Sequence, residues 1–128
     1  MREAGTDEAL VREFHDYIRS FEVQQAFMRL VQALDGLDAF TWTVRNQGKV
    51  RSLRIYQDGV WLFAVMPSQF KLRFHWRPPA IKLKLYDKQE VINTFGPLVG
   101  KVKTTPHWAI DRRTENEVKI LLGFLAMK

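Results

Sequence analysis

The chain has no cysteine, which removes disulfides, thiolate metal ligands and cysteine nucleophiles and suits a reducing compartment. No apolar run approaches the ~20 residues that span a bilayer. The opening segment MREAGTDEALVREF is too charged for a secretory signal, so a cytoplasmic protein without a membrane partner is expected. Glycine and proline are sparse, at 7 and 5 residues, and gather into no linker, low-complexity tract or repeat. The glycines, Gly96 and Gly100 included, form neither G-x-G-x-x-G nor G-x-x-x-x-G-K-S/T, so nucleotide binding on a phosphate loop has no support.

The usual chemistry of sites is equally thin. His15, His75 and His107 are widely spaced, with no H-x-H or H-x-x-x-H pair to nucleate a metal centre. Ser20, Ser52 and Ser68 lie in no nucleophile context. The apolar run Val60 to Met66 carries no charge, whereas a metal-dependent nuclease needs carboxylates near the middle of its sheet. No catalytic residue, cofactor or metal ligand is therefore expected.

What is present is a foldable core. The 128 residues are 46% hydrophobic and 12% aromatic, enough for one domain spanning 1–128 to offset its conformational entropy by burial. Leu10, Phe14, Tyr17, Ile18 and Phe21 keep the spacing of one helix face, and Val23, Phe27, Leu30, Val31 and Leu34 repeat it. The two stripes point in different directions on one ideal helix, so a break near Ser20 to Glu22 is expected within about 7–35. Thr6 and Asp7 are candidate N-caps, and Gly36 a left-handed C-terminal residue.

From Ala39 the period becomes two. Phe40, Trp42 and Val44 alternate with polar residues, Asn46-Gln47-Gly48 turns the chain, and a second strand follows over Arg51 to Gln57. Asp58-Gly59 is a strong hairpin signal because both turn positions need φ > 0. The next run, VWLFAVM, is apolar on both faces and wants a central position. Phe70, Leu72, Phe74 and Trp76 then alternate with Lys71, Arg73, His75 and Arg77. After Pro78-Pro79, Ile81, Leu83 and Leu85 alternate with Lys82 and Lys84, which extends the expected strands to about 86. Beyond a turn, Asp87-x-x-Glu90 starts a helix that Gly96-Pro97 ends. Leu98 to Lys103 is ambiguous, Thr104-Thr105-Pro106 connects to a short strand at His107 to Ile110, and Thr114-x-x-Glu117 caps a terminal helix running to about Met127. Runs of like elements with hairpin-length connections predict an α+β fold: an antiparallel sheet of about five to six strands, with N-terminal and C-terminal helices packed mainly on one face.

A net charge of +6 and a pI near 9.8 favour acidic partners. Lys71, Arg73, Arg77, Lys82 and Lys84 form the candidate nucleic-acid face, with Arg45, Lys49, Arg51 and Arg54 as extensions and Tyr56 and Tyr86 as aromatic neighbours for unpaired bases. The plain reading is a solvated sheet face whose lysines deter edge pairing. Ile120, Phe124 and Met127 form a second apolar stripe on the terminal helix. It serves either the chain's own core or a contact with itself or another protein, which makes an interaction domain the alternative function. A small-molecule enzyme is the third, to be recognised by a tryptophan sharing a cleft with a histidine and a carboxylate.

From Phe40 onward, the hairpin strands, the run MPSQFKLRFHW, the His107-Trp108 pair and the capped terminal helix resemble small bacterial domains of the YdhG-like kind. The resemblance implies a compact α+β module. Some of those domains are described as iron-handling, but it transfers no site residue.

Overall fold

The structure is a computed structural model that describes residues 6–47, 50–84, 86–99 and 107–126. Helix α1 spans Thr6–Tyr17 and α2 spans Phe21–Asp35. The chain breaks between them because the Ser20 hydroxyl accepts from the Val23 N–H and restarts the helix, while the Arg19 and Ser20 N–H groups donate to the Gln69 carbonyl. Phe21 opens α2 at 73% exposure rather than completing the α1 stripe. Val23, Phe27, Leu30, Val31 and Leu34 are buried as their spacing requires. The expected left-handed turn at Gly36 is not formed. Its φ is −90° and its N–H returns to the Ala33 and Leu34 carbonyls, a right-handed exit open to any residue.

Among the described residues five strands follow: β1 Thr41–Gln47, β2 Val50–Gln57, β3 Val60–Pro67, β4 Leu72–Trp76 and β5 Trp108–Arg112. They form one antiparallel meander in sequence order, with β3 central. Asp58 and Gly59 take φ of 52° and 79°, the double positive φ of a hairpin turn whose twist matches its strands. A register shift between Ile55 and Tyr56 bulges β3 at Leu62.

Residues 78–84 correct the expected strand. Pro78–Lys82 is a short helix, α3. Proline's fixed φ suits a first helical turn, where its missing N–H would have no intrahelical partner, and Arg77 before it is extended, at φ −80° and ψ 161°. Lys84 turns at φ 57°. Leu85 lies outside the described residues, as do Gly48, Lys49, the segment from Gly100 to Pro106, and Met127.

Helix α4 covers Lys88–Phe95, where the Asp87 carboxylate accepts from the Glu90 N–H. Helix α5 covers Glu115–Ala126 behind a reciprocal capping box: the Glu117 N–H donates to the Thr114 hydroxyl at 3.0 Å, and the Thr114 N–H to the Glu117 carboxylate at 3.2 Å.

One sheet face carries Trp42, Val44, Leu53, Ile55, Phe63, Val65, Phe74, Trp76 and Ile110, and the helices close over it in a single core with Phe14, Phe27, Leu121 and Leu125. Among the described residues no helix is long and apolar enough to cross a membrane.

Candidate nucleic-acid interface

Strand alternation sends the intervening side chains to the opposite, helix-free face, but not Arg51, whose guanidinium lies on the helix side, 3.7 Å from the centroid of the Tyr17 ring. One row crosses all five strands: Thr43, Arg54, Ala64, His75 and Ala109 are successive cross-strand partners. Thr43, Ala64 and Ala109 are buried, low positions that alternate along the row with the long side chains of Arg54 and His75. Arg45, Lys71, Arg73 and Arg77 share this face by the same alternation. Asp111 is the sole acidic residue in the five strands, so the face is cationic by construction.

Its cations fall into two groups. On β4, the Arg73 guanidinium donates to both Asp111 oxygens, at 2.9 and 3.3 Å, and the Lys71 ammonium lies 3.5 Å from the same carboxylate. The Asp111 side chain is only 10% exposed. Burial alone would push its carboxyl up, but the hydrogen bonds and charges of Arg73 and Lys71 outweigh this and hold it below the usual value. The hydrogen bond to Asp111 in turn raises the Arg73 pKa. Beside them a shallow depression of about 330 Å³ is lined by Met66, Pro67, Ser68, Lys71, Arg73 and His75.

A depressed carboxyl contributes stability that is present above the ordinary aspartate value of 3.8 and lost as pH falls through the folded value. Asp111→Asn should therefore lower stability near neutrality by about 1–2 kcal/mol and flatten the acid limb of a urea-denaturation series. An unchanged acid limb would show that the pair contributes nothing.

The second group is built around Trp61. The Arg77 guanidinium lies 3.5 Å and that of Arg54 4.2 Å from the indole centroid, within cation–π range. Arg77 also donates to the Trp61 carbonyl at 2.6 Å, and the indole N–H donates to the Phe63 carbonyl at 2.7 Å. Burial, and then the neighbouring Arg54 charge, lower the Arg77 pKa. Tyr56 is the cross-strand partner of Trp61. On the β4–β5 side of the face, His75 Nδ1 and His107 Nε2 are 2.7 Å apart, a hydrogen bond in which one nitrogen donates and the other accepts. Two nitrogens on one zinc ion would stand about 3.3 Å apart. Among the described residues, no group of three or more His, Cys, Asp or Glu side chains is placed to hold a metal ion.

Of the five cations singled out in the sequence, Lys71 and Arg73 meet at Asp111 and Arg77 joins Arg54 at Trp61. Lys82 and Lys84 are exposed on α3 and the turn after it and belong to no strand; the segment expected to align them as a strand is a helix. The α5 stripe is divided. Phe124 packs against Phe95 and Tyr86 of its own chain, with centroids 5.1 and 6.1 Å apart, Ile120 is 46% exposed, and Met127 lies outside the described residues.

The Arg54–Trp61–Arg77 cluster, Asp111 and the histidine pair escape sequence reasoning. Trp61 alone has a readable signal, since a two-residue turn at Asp58-Gly59 puts Tyr56 opposite Trp61 by counting. A separate cleft of about 440 Å³ lies between α1, α2 and β1, where Glu8, Arg12, His15 and Asp16 edge Val11, Met28, Val31 and Trp42.

Compared with family models, with curated proteins and with solved structures, the chain has no significant match.

Proposed function

We propose that this chain is a non-enzymatic, cytoplasmic binding module that associates with nucleic acid through the helix-free face of its sheet. The observation that carries this reading is the charge asymmetry of that face among the described residues: Arg45, Arg54, Lys71, Arg73 and Arg77 against Asp111, the one carboxylate of its strands, interleaved with Tyr56 and Trp61. Cations spaced along a sheet neutralise successive phosphates, and the aromatic and guanidinium planes beside them offer stacking surfaces to unpaired bases. Single strands are thus favoured over duplex. Lys82 and Lys84 contribute long-range attraction only.

Fluorescence titration with single-stranded and duplex DNA and RNA at two salt concentrations tests the reading. If about four phosphates are neutralised, single-strand affinity should fall roughly fifty-fold between 50 and 200 mM salt. Absent or salt-independent binding would remove the proposal.

The α1–α2–β1 cleft favours a second reading, a small-molecule site, because it sets an indole beside a histidine and carboxylates. It ranks lower because the 3.0 Å His15–Asp16 pair is formed by chain neighbours, with the Asp16 side chain 70% exposed and screened by water. Binding of a small metabolite that Met28→Trp abolishes would promote it.

A further inference from the structure

Two polar atoms on neighbouring residues of the helix-free face have no partner among the described residues: the Thr43 hydroxyl oxygen and Arg54 Nε are both buried without a hydrogen bond. Thr43 is 8% exposed, and the two residues are direct cross-strand partners on one face, which brings their Cβ atoms within about 5.5 Å. An isolated buried hydroxyl or guanidinium N–H is costly, and native proteins leave few of either. The same spot carries a second unrelieved cost. Arg54 and Arg77 both sit on the Trp61 ring, which places their charges within about one Debye length, 8 Å, of each other, and neither has a carboxylate partner among the described residues. An N–H and a hydroxyl to donate, two positive charges, and no paired carboxylate among the described residues are the complement of a tetrahedral oxyanion.

From this juxtaposition we infer that Thr43, Arg54 and Arg77 form a phosphate seat, in which the Thr43 hydroxyl and Arg54 Nε–H donate to phosphate oxygens while Arg77 neutralises the remaining charge. The inference rests on the reading of this face as a nucleic-acid surface and names the point at which the backbone is gripped. Trp61 holds the two guanidiniums in place and Tyr56 flanks them, so a base or ribose next to the phosphate meets an aromatic wall. The Arg73–Asp111–Lys71 group is different: its carboxylate already occupies the Arg73 fork, leaving it a weaker phosphate contact.

The test reads the Arg54 Nε–Hε resonance in ¹⁵N-edited spectra, assigned through Arg54→Lys. Inorganic phosphate, uridine 5′-monophosphate, oligothymidylate and, as a phosphate-free control, uridine are titrated in turn. The phosphate-bearing probes should move the resonance and uridine should not. A response to oligothymidylate alone identifies an internal phosphodiester, a response to the monophosphate alone a terminal phosphate, and either supports the seat. Thr43→Val keeps the side-chain shape and removes an unsatisfied hydroxyl, so the fold should be unimpaired while affinity falls about tenfold. An Arg54 resonance unmoved by every phosphate probe, or full affinity in Thr43→Val, overturns the inference. Oligothymidylate binding with a silent Arg54 resonance sinks the seat and spares the proposed function; a resonance that moves with phosphate when no oligonucleotide binds does the reverse.

Discussion

Phe63→Ala should destabilise the fold by about 3–5 kcal/mol, the usual cost of emptying a fully buried aromatic site. Phe63 lies on the central strand with no exposed surface. It stacks on Phe74 at 5.4 Å between centroids and meets Phe40 and Tyr86 edge-on at 6.1 and 5.8 Å, so its removal strips contacts from the β1 entry, the sheet and the segment before α4 together. The loss would reach the opposite face, because the Phe63 carbonyl anchors the Trp61 indole through the β3 bulge. Urea denaturation of wild type and variant measures it. A change below about 1 kcal/mol would mean that this core collapses around the gap.

The second large effect is alkaline. Tyr86 is 5% exposed, and burial pushes its phenol from 10.0 up to about 12. A raised phenol contributes stability that is fully present below the unfolded value and lost as pH climbs through the folded one, so the window is pH 10.0 to about 12. The shift corresponds to about 2–3 kcal/mol. Tyr86→Phe retains the ring contacts with Phe63, Trp76 and Phe124 and deletes the proton, so denaturation midpoints of wild type and variant should diverge across this window. Parallel midpoints would show that the Tyr86 hydroxyl reaches water.

Features set by local chemistry are legible in the order of residues itself. The Asp58-Gly59 turn, the Asp87 and Thr114 caps and the central place of the uncharged strand each depend on a few consecutive residues, and each is present in the fold. Ile81 to Leu85 misleads because alternating Lys and Leu copies a strand, whereas the two prolines ahead of it fit a helix start. At the site, alternation places Lys71, Arg73 and Arg77 on one face. Their partners lie beyond sequence reasoning: Arg73 meets Asp111 across 38 positions and His75 meets His107 across 32. No pattern in a sequence marks a hydroxyl such as that of Thr43 as buried and unpartnered.

The most direct measurement compares two charge-reversed pairs against one single-stranded oligonucleotide at a single salt concentration. Arg54→Glu with Arg77→Glu, and Lys82→Glu with Lys84→Glu, change the net charge equally, so attraction governed by charge alone would weaken equally in both. Binding through the helix-free face predicts a loss of at least about a hundredfold in the first pair and only a few-fold in the second. Equal losses in the two pairs, or a larger loss at Lys82 and Lys84, would contradict it.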